Sequence, residues 1–168
     1  MERKRLEFPD GIVEVIDATR TRGTIVCAGD QSGSNGMTIG WITIGSSWSR
    51  PICAVLVRPS RYTHKFMESG DSFTVNVLPE DLQGAVDLFG TESGRDMDKF
   101  AEAPLTATKG LMVASPYIAE ASLVVECRIA FKQPMDRSLI TADWVEDFYG
   151  GEDYHTIYYG EILAIHAK

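Results

Sequence analysis

Short apolar or alternating runs, each about the length of a β-strand, recur along the 168-residue chain. Residues 72–78 alternate with the two-residue period of a half-buried strand, and residues 24–28 and 52–57 form continuous apolar runs. Residues 37–44 alternate bulky and small side chains, which predicts the strand that returns from 24–28 after a glycine-rich hairpin connection. The short alternating run 12–16 predicts an edge strand that leads into this sheet.

The C-terminal half carries the two longest strand patterns. Residues 121–131 form a long apolar run that Pro134 ends, and residues 154–166 are expected to be its antiparallel partner. Repeated short strands with short turns favour a mostly antiparallel, Greek-key barrel over a parallel βαβ sheet. A length of 168 residues suits a single domain over 1–168.

Short helices are predicted between these strands. Residues 61–69 follow Ser60, a residue type suited to an N-cap, and residues 81–89 begin with carboxylates, as the helix dipole favours. Residues 96–102 are predicted to form a further short helix, and residues 137–151 space their apolar side chains as a helix does. The predicted fold class is therefore mainly β with a few helices.

The overall composition excludes some partners. The chain carries 24 Asp and Glu against 16 Lys and Arg, a net charge of -8, which disfavours nucleic acid. No apolar run approaches the ~20 residues that span a bilayer, and no apolar run of a secretory signal follows the first residues. Cys27, Cys53 and Cys127 lie far apart in apolar runs, which indicates buried, reduced thiols. We therefore expect a cytoplasmic protein without a membrane partner.

One stretch reverses the overall charge. Residues 31–67 contain no Asp or Glu, and they include Arg58 and Arg61. Cationic side chains and hydroxyls at a predicted helix start suit a phosphate, so Arg58, Ser60, Arg61 and Thr63 are candidate phosphate ligands. The alternative interpretation is that they are solvated loop residues.

Other kinds of chemistry have no signature in the chain. His64, His155 and His166 are scattered, without a Cys or carboxylate at ligand spacing, so no metal site is predicted. The sequence has no nucleophile elbow, no Gly-x-Gly-x-x-Gly turn and no phosphate loop of the Gly-x-x-x-x-Gly-Lys type. A Rossmann nicotinamide domain is therefore not expected.

Four short motifs, at residues 35–41, 57–63, 93–96 and 98–100, resemble those of the flavin reductase-like, or flavoredoxin, family. Residues 155–162 are similar to the last barrel strand of that family. Each motif is short, but their order and spacing together make the match specific. The resemblance covers nearly the whole chain and implies an FMN-binding split β-barrel.

The resemblance also implies a cofactor site. The strand after the glycine-rich turn is expected to form the wall and edge of a flavin ring slot, from Asn35, Met37, Thr38, Ile39 and Trp41. On the alternative interpretation Trp41 is simply a large core or interface side chain. Ser93 and Arg95 are expected either to contact the cofactor or a partner subunit, or to belong to a capped helix start. His155 is expected near the cofactor, with a surface or capping role as the alternative.

The function implied is that of an NAD(P)H-dependent flavin reductase, in which hydride passes from NADH or NADPH to the flavin N5 atom. One alternative is a flavoredoxin-like electron carrier with bound FMN and no direct nicotinamide oxidation. Another is a barrel without cofactor that serves as an interaction module. In relatives the flavin lies at a dimer interface, so a homodimer is expected, with Trp144, Phe148 or Tyr154 closing the site from the second subunit.

Overall fold

The computed structural model describes residues 3–30 and 32–168, and ten strands and five α-helices lie in these ranges. The strands are β1 (Lys4–Leu6), β2 (Thr24–Asp30), β3 (Gly33–Ile39), β4 (Ile42–Ser47), β5 (Arg50–Val57), β6 (Ser72–Val77), β7 (Ala107–Thr108), β8 (Tyr117–Ile118), β9 (Leu123–Pro134) and β10 (Thr156–Ala167). The helices are α1 (Ile12–Thr21), α2 (Thr63–Ser69), α3 (Gln83–Thr91), α4 (Lys99–Glu102) and α5 (Asp143–Glu146). Short 3-10 turns precede α3 and α5, at Glu80–Leu82 and Arg137–Leu139.

Eight strands form one antiparallel sheet, in the order β3-β2-β6-β9-β10-β5-β4, with β1 paired to β10. The long strands β9 and β10 pair at its centre, so the antiparallel pairing predicted for 121–131 and 154–166 is confirmed. Register shifts at Tyr159/Gly160 and Ile162/Ala164 interrupt this pairing, and such bulges bend and twist a strand. The bending lets one sheet curve around a core.

Strand β2 shows that the sheet is covered on both faces. Val26 and Ala28 belong to one core cluster, together with residues of α1 and α2, whereas Ile25 and Cys27 belong to a second cluster with residues of α3. A strand buried on both faces reads as a continuous apolar run, which is the pattern at 24–28. All three cysteines are free and buried, as predicted. In the described part of the chain, no helix is long and apolar enough to cross a membrane.

The predicted edge strand at 12–16 is wrong, because these residues begin helix α1. Ile12 and Val15 are buried, while Val13 is 74% exposed, which is the spacing of a helix with one covered face. A run of five residues is too short to separate a two-residue period from a helical one, so the sequence pattern was ambiguous here.

The predicted strand at 37–44 is wrong as a single element. It breaks at Gly40 and Trp41 into β3 and β4, which lie at opposite ends of the sheet order. Strands β4 and β5 are joined by a turn at Trp48 and Ser49, whose φ angles of 53° and 57° fit a two-residue hairpin. The chain therefore crosses from one end of the sheet to the other at Trp41.

Helix boundaries near the predicted phosphate ligands also differ. Helix α2 begins at Thr63, and no side chain caps it, so the predicted N-cap role of Ser60 is wrong. The helix predicted at 96–102 is shorter, because Asp98 accepts hydrogen bonds from two backbone N–H groups and so starts α4 at Lys99. The helix predicted at 81–89 is confirmed by the 3-10 turn and α3.

The helix predicted at 137–151 is wrong. The segment contains a 3-10 turn and the four-residue α5, and the rest of it is irregular. Gly150 and Gly151 adopt positive φ angles of 61° and 92°, which a right-handed helix does not allow. Four of its apolar side chains instead line an apolar cavity that Trp41 also borders; these are Trp144, Val145, Phe148 and Tyr149.

Candidate functional site

Two adjoining cavities, each of about 220 Å³, form a crevice between β3, the α2 region and the loop after α3. The Trp41 cavity is lined, among others, by Met37, Thr38, Ile39, Trp41, Arg58, Arg61 and His155. The Lys99 cavity is lined, among others, by Asn35, Met37, Ser60, Arg61, Thr63, Ser93, Arg95 and Lys99. All of the site residues named from the sequence thus border one crevice, and Met37 and Arg61 border both cavities.

Three cations converge on the Lys99 cavity. The Arg61 Nη2 atom donates a hydrogen bond of 3.1 Å to the Phe89 carbonyl oxygen, and the Lys99 Nζ atom lies 3.3 Å from the same oxygen. Arg95 donates from Nη1 to the Ser60 carbonyl oxygen at 2.8 Å. Among the described residues, no Asp or Glu oxygen lies within 4.0 Å of a charged nitrogen of these three side chains. Glu92 also borders this cavity, and its charge acts on Lys99, so the three cations leave a net positive charge there.

Lys99 is the most unusual of these cations, because it is only 3% exposed. Burial, and then the neighbouring Arg61 charge, lower the pKa of Lys99 from 10.5 to about 8. A buried ammonium without a carboxylate is costly, and an anion placed beside it would offset that cost. Sequence analysis did not single out Lys99, although its motif at 98–100 was part of the family resemblance.

Neutral donors and a close backbone contact complete the Lys99 cavity. Thr63 is fully buried, and its Oγ1 atom accepts a hydrogen bond of 2.7 Å from Asn35 Nδ2. Gly94 packs against this pair, and a Cβ atom there would lie 2.2 Å from Asn35 Oδ1 and 2.7 Å from a ring carbon of Tyr62. Glycine at 94 is therefore needed for the loop that carries Ser93 to approach β3.

The Trp41 cavity has an aromatic wall. The Trp41 ring lies 5.0 Å from the Phe148 ring and 5.1 Å from the His155 ring, measured between centroids. Met37 and Ile39 are 5% and 4% exposed, so they join the wall to the core. An apolar cavity of about 310 Å³, lined in part by Trp144, adjoins this wall and shares Trp41 with it. The combination suits a flat ring with polar edges.

His155 is held neutral at the base of this wall. Its Nδ1 atom shares a hydrogen bond of 2.8 Å with the Tyr149 hydroxyl, and its side chain is largely buried. Burial, and then the nearby Arg58 charge, lower the pKa of His155 to about 4. His155 is thus an uncharged hydrogen-bonding group near neutral pH. Thr38, by contrast, donates its hydroxyl to the Val86 carbonyl oxygen at 2.5 Å, so this hydrogen is already used.

Arg58 and Ser60 already hold a carboxylate of the same chain. The Ser60 N–H donates to Asp153 Oδ1 at 3.1 Å, and the Ser60 hydroxyl donates to Asp153 Oδ2 at 2.6 Å. The Arg58 Nη1 atom lies 3.8 Å from Asp153 Oδ2, and Arg58 Nη2 donates to the Phe148 carbonyl oxygen at 2.8 Å. We call Arg58 and Ser60 the carboxylate cradle. Asp153 lies 93 residues from Ser60, so no local sequence signal pointed to this contact.

The structure groups no metal ligands. Within residues 3–30 and 32–168, no cluster of three or more His, Cys, Asp or Glu side chains could hold a metal ion. His64 shares a hydrogen bond with Thr156, the residue after His155, while His166 lies 2.8 Å from the buried Glu126 on another part of the fold.

The antiparallel sheet defines a barrel protein with a crevice that has cations at one end and aromatic rings at the other. A family model described as "Flavin reductase like domain" matches residues 17–168. The chain therefore belongs to the flavin reductase-like family, as the sequence motifs predicted.

The chain is also similar to parts of two curated proteins. The chain is 31% identical over 146 residues to an uncharacterized protein of Aeropyrum pernix, covering 80% of this chain and 55% of that protein. It is 34% identical over 74 residues to a high molecular weight rubredoxin of Moorella thermoacetica, covering 44% of this chain and 31% of that protein. The chain thus spans about half and about a third of their lengths.

Solved structures confirm the predicted fold class. The flavoredoxin of Desulfovibrio vulgaris (Miyazaki F) superposes with a TM-score of 0.70 at 24% identity, covering 88% of this chain and 70% of that one. At this identity the likeness establishes the fold. The fold is therefore a split β-barrel, as the resemblance implied.

Proposed function

We propose that this protein is a flavoprotein oxidoreductase that binds FMN in the crevice formed by the Trp41 and Lys99 cavities. The observation that carries the proposal is the position of Lys99 and Arg61. They are cations without a carboxylate partner among the described residues, beside an aromatic wall in the same crevice. FMN carries a phosphate at one end and a flat ring at the other, so its two ends match the two cavities.

Arg61, Lys99 and Arg95 would hold the phosphate. Charge-assisted hydrogen bonds from such cations to a phosphate are stronger than bonds between neutral groups. The hydroxyls of Thr63 and Ser93 border the same cavity and can add neutral hydrogen bonds. The sequence-based assignment of the phosphate to Arg61 and Thr63 is retained in this proposal. Arg58 and Ser60 are given a different role, because Asp153 already engages their donors.

The ring would lie at the Trp41 cavity. Trp41, with Met37 and Ile39 beside it, offers apolar surface, and neutral His155 offers a hydrogen-bonding edge without a competing charge. When bound, FMN supplies a ring that takes up and releases electrons. The protein residues would bind it, exclude water from one side and fix its orientation. No general acid or base is required of the chain for that task.

We further propose that NADH or NADPH supplies the electrons, as in a flavin reductase. The alternative is a flavoredoxin-like carrier that receives electrons from a protein. The family assignment supports either role. The similarity to a protein named as a rubredoxin, which is a redox protein, supports the electron carrier as the alternative. The expected homodimer, the single domain over 1–168 and the cytoplasmic location also remain proposals. Three free, buried cysteines support a reducing compartment.

The test is the visible spectrum of the protein after incubation with FMN and desalting, followed by anaerobic addition of NADH or NADPH. Retained flavin bands that bleach on addition would support a nicotinamide-dependent oxidoreductase. Retained bands that persist until a reduced redox protein is added would support the electron carrier. If the desalted protein retains no flavin and equilibrium titration detects no FMN binding, the proposal is wrong.

A further inference from the structure

The carboxylate cradle is filled from within the chain. Both oxygens of the Asp153 carboxylate accept hydrogen bonds from Ser60, one from its N–H at 3.1 Å and one from its hydroxyl at 2.6 Å. Arg58 reaches the same carboxylate at 3.8 Å and the Asp153 carbonyl oxygen at 3.4 Å. Asp153 itself adopts a φ angle of 51°, which is uncommon for a residue other than glycine. A strained backbone position that supports several contacts indicates a position with a role.

The segment that ends at Asp153 packs against Trp41 and His155, two of the side chains that line the Trp41 cavity. We call residues 148–153 the strap. Phe148, at its start, packs edge-on against the Trp41 ring, with 5.0 Å between centroids. Tyr149, the next residue, bonds to His155, and the Arg58 guanidinium carbon lies 5.0 Å from the centre of the Tyr149 ring.

The strap is fixed at two places. Tyr149 is 6% exposed, bonds to His155 and Met135 and stacks on Tyr154, with 4.7 Å between ring centroids. Gly150 and Gly151 have positive φ angles of 61° and 92°, so a flexible reversal separates the aromatic pair from Asp153. Beyond this reversal, Asp153 holds the end of the strap through its contacts with Ser60 and Arg58.

We propose that Asp153 is a positioning residue for the ring end of the crevice. Its carboxylate fastens the strap to the cradle, and the strap in turn holds Phe148 and Tyr149 against Trp41 and His155. The identity of the ring that benefits rests on the proposed function. The placement of the strap does not, so the two ideas can fail separately.

Two substitutions separate the carboxylate from the backbone conformation. Asn and Gly both tolerate a positive φ angle, so Asp153→Asn and Asp153→Gly keep the turn. Asn can still accept a hydrogen bond from Ser60 but loses the charge that faces Arg58, whereas Gly loses both contacts. The matched control is Asp136→Asn. The Asp136 carboxylate also bonds to a serine N–H and hydroxyl, those of Ser138, but within its own turn.

The first readout needs no flavin. Chymotrypsin cleaves after aromatic residues, and mass spectrometry locates cleavage at Phe148 and Tyr149. We expect faster cleavage in Asp153→Gly by roughly three- to tenfold, an intermediate rate in Asp153→Asn and no change in the Asp136 control. This range corresponds to the net contribution of one ordinary hydrogen bond. Equal cleavage rates in wild type and Asp153→Gly would overturn the proposal.

The second readout uses riboflavin and FMN, followed by flavin fluorescence and the visible absorption bands. Riboflavin lacks the phosphate, so it reports on the ring end alone. We expect Asp153→Gly to weaken the binding of both flavins by the same factor, roughly three- to tenfold. The absorption bands of the bound ring should also shift. Asp153→Asn should show smaller changes of both kinds. A change confined to FMN would overturn the proposal, because Asp153 would then act on the phosphate. If wild type binds neither flavin, the proposed function fails while the cleavage assay still decides the role of Asp153.

Discussion

Replacing Lys99 by Met tests the phosphate end of the crevice. The Lys99 ammonium is 3% exposed, lies beside Arg61 and contacts the carbonyl oxygens of Phe89 and Glu92 at 3.3 Å each. A hydrogen bond from a charged donor to a phosphate contributes about 1.5 to 3 kcal/mol. Its loss should raise the FMN dissociation constant roughly 10- to 150-fold. Riboflavin, which has no phosphate, should bind wild type and Lys99→Met alike.

The pKa of Lys99 adds a signature in pH. Since its pKa in the folded protein is about 8, the preference for FMN over riboflavin should decline as pH rises through this value. Unfolding restores a pKa near 10.5, so between about pH 8 and 10.5 the unfolded chain binds more protons at this residue. The flavin-free wild type should therefore gain stability relative to Lys99→Met as pH rises across that window.

The assay is equilibrium titration of both flavins by fluorescence, at several pH values, together with urea unfolding of the flavin-free proteins. Met keeps an unbranched apolar stem, so we expect the free energy of unfolding at pH 7 to fall by no more than about 1 kcal/mol. Exposed Lys109, replaced by Met, is the matched control and should change neither flavin affinity. If Lys99→Met weakens riboflavin as much as FMN, or leaves FMN unchanged, the phosphate assignment is refuted.

Arg61→Ala should lower the affinity for FMN about tenfold or more and leave the affinity for riboflavin unchanged. Arg58→Ala should lower the affinity for both flavins alike, because Arg58 holds the strap. Equal losses for both flavins in Arg61→Ala titrations would contradict this division. Gly94→Ala should lower FMN affinity, because a Cβ would lie 2.2 Å from a side-chain oxygen, while Gly84→Ala points into open space and should not; equal FMN dissociation constants would refute the close contact. As the pH falls from 6.5 to about 4, wild type should lose stability, because the unfolded chain binds a proton at His155 that the folded protein excludes. His155→Gln should lose less stability over the same pH range. Urea melts at pH 7 and 5 test this, and an unchanged pH dependence would rule it out.

Sequence patterns predicted the sheet better than the short helices. The runs at 24–28 and 52–57 lie within strands, and those at 72–78 and 121–131 match strands to within two residues. Burial on one or both faces makes the positions of a strand apolar in a regular pattern. The prediction at 12–16 was wrong, because the helical period becomes visible only when the buried positions at Ala18 and Thr19 are added. A segment with few buried residues gives a weak hydrophobic pattern, because too few positions reveal its period.

The candidate site was predicted through motifs that lie close together in the chain. Asn35, Thr63 and Arg95 reach one crevice because β3, α2 and the loop after α3 meet there. The contact between Ser60 and Asp153 joins residues 93 positions apart and depends on the fold of an irregular segment. The hydrophobic period within a short segment does not predict such a contact. The sequence therefore predicted which residues border the crevice, but not that Arg58 and Ser60 are already engaged.

The strap also changes what a second subunit would have to provide. Phe148 was expected to close the site from the partner, yet it packs on Trp41 of its own chain. Trp144 and Leu139, on the same irregular segment, are still 69% and 68% exposed, as is Trp48 at 63% on the β4-β5 hairpin. Large exposed apolar side chains favour a contact with another surface when they form one patch. If the proposed homodimer forms over Trp144, a partner would cover the outer face of the strap, and its contribution would be to hold the strap closed.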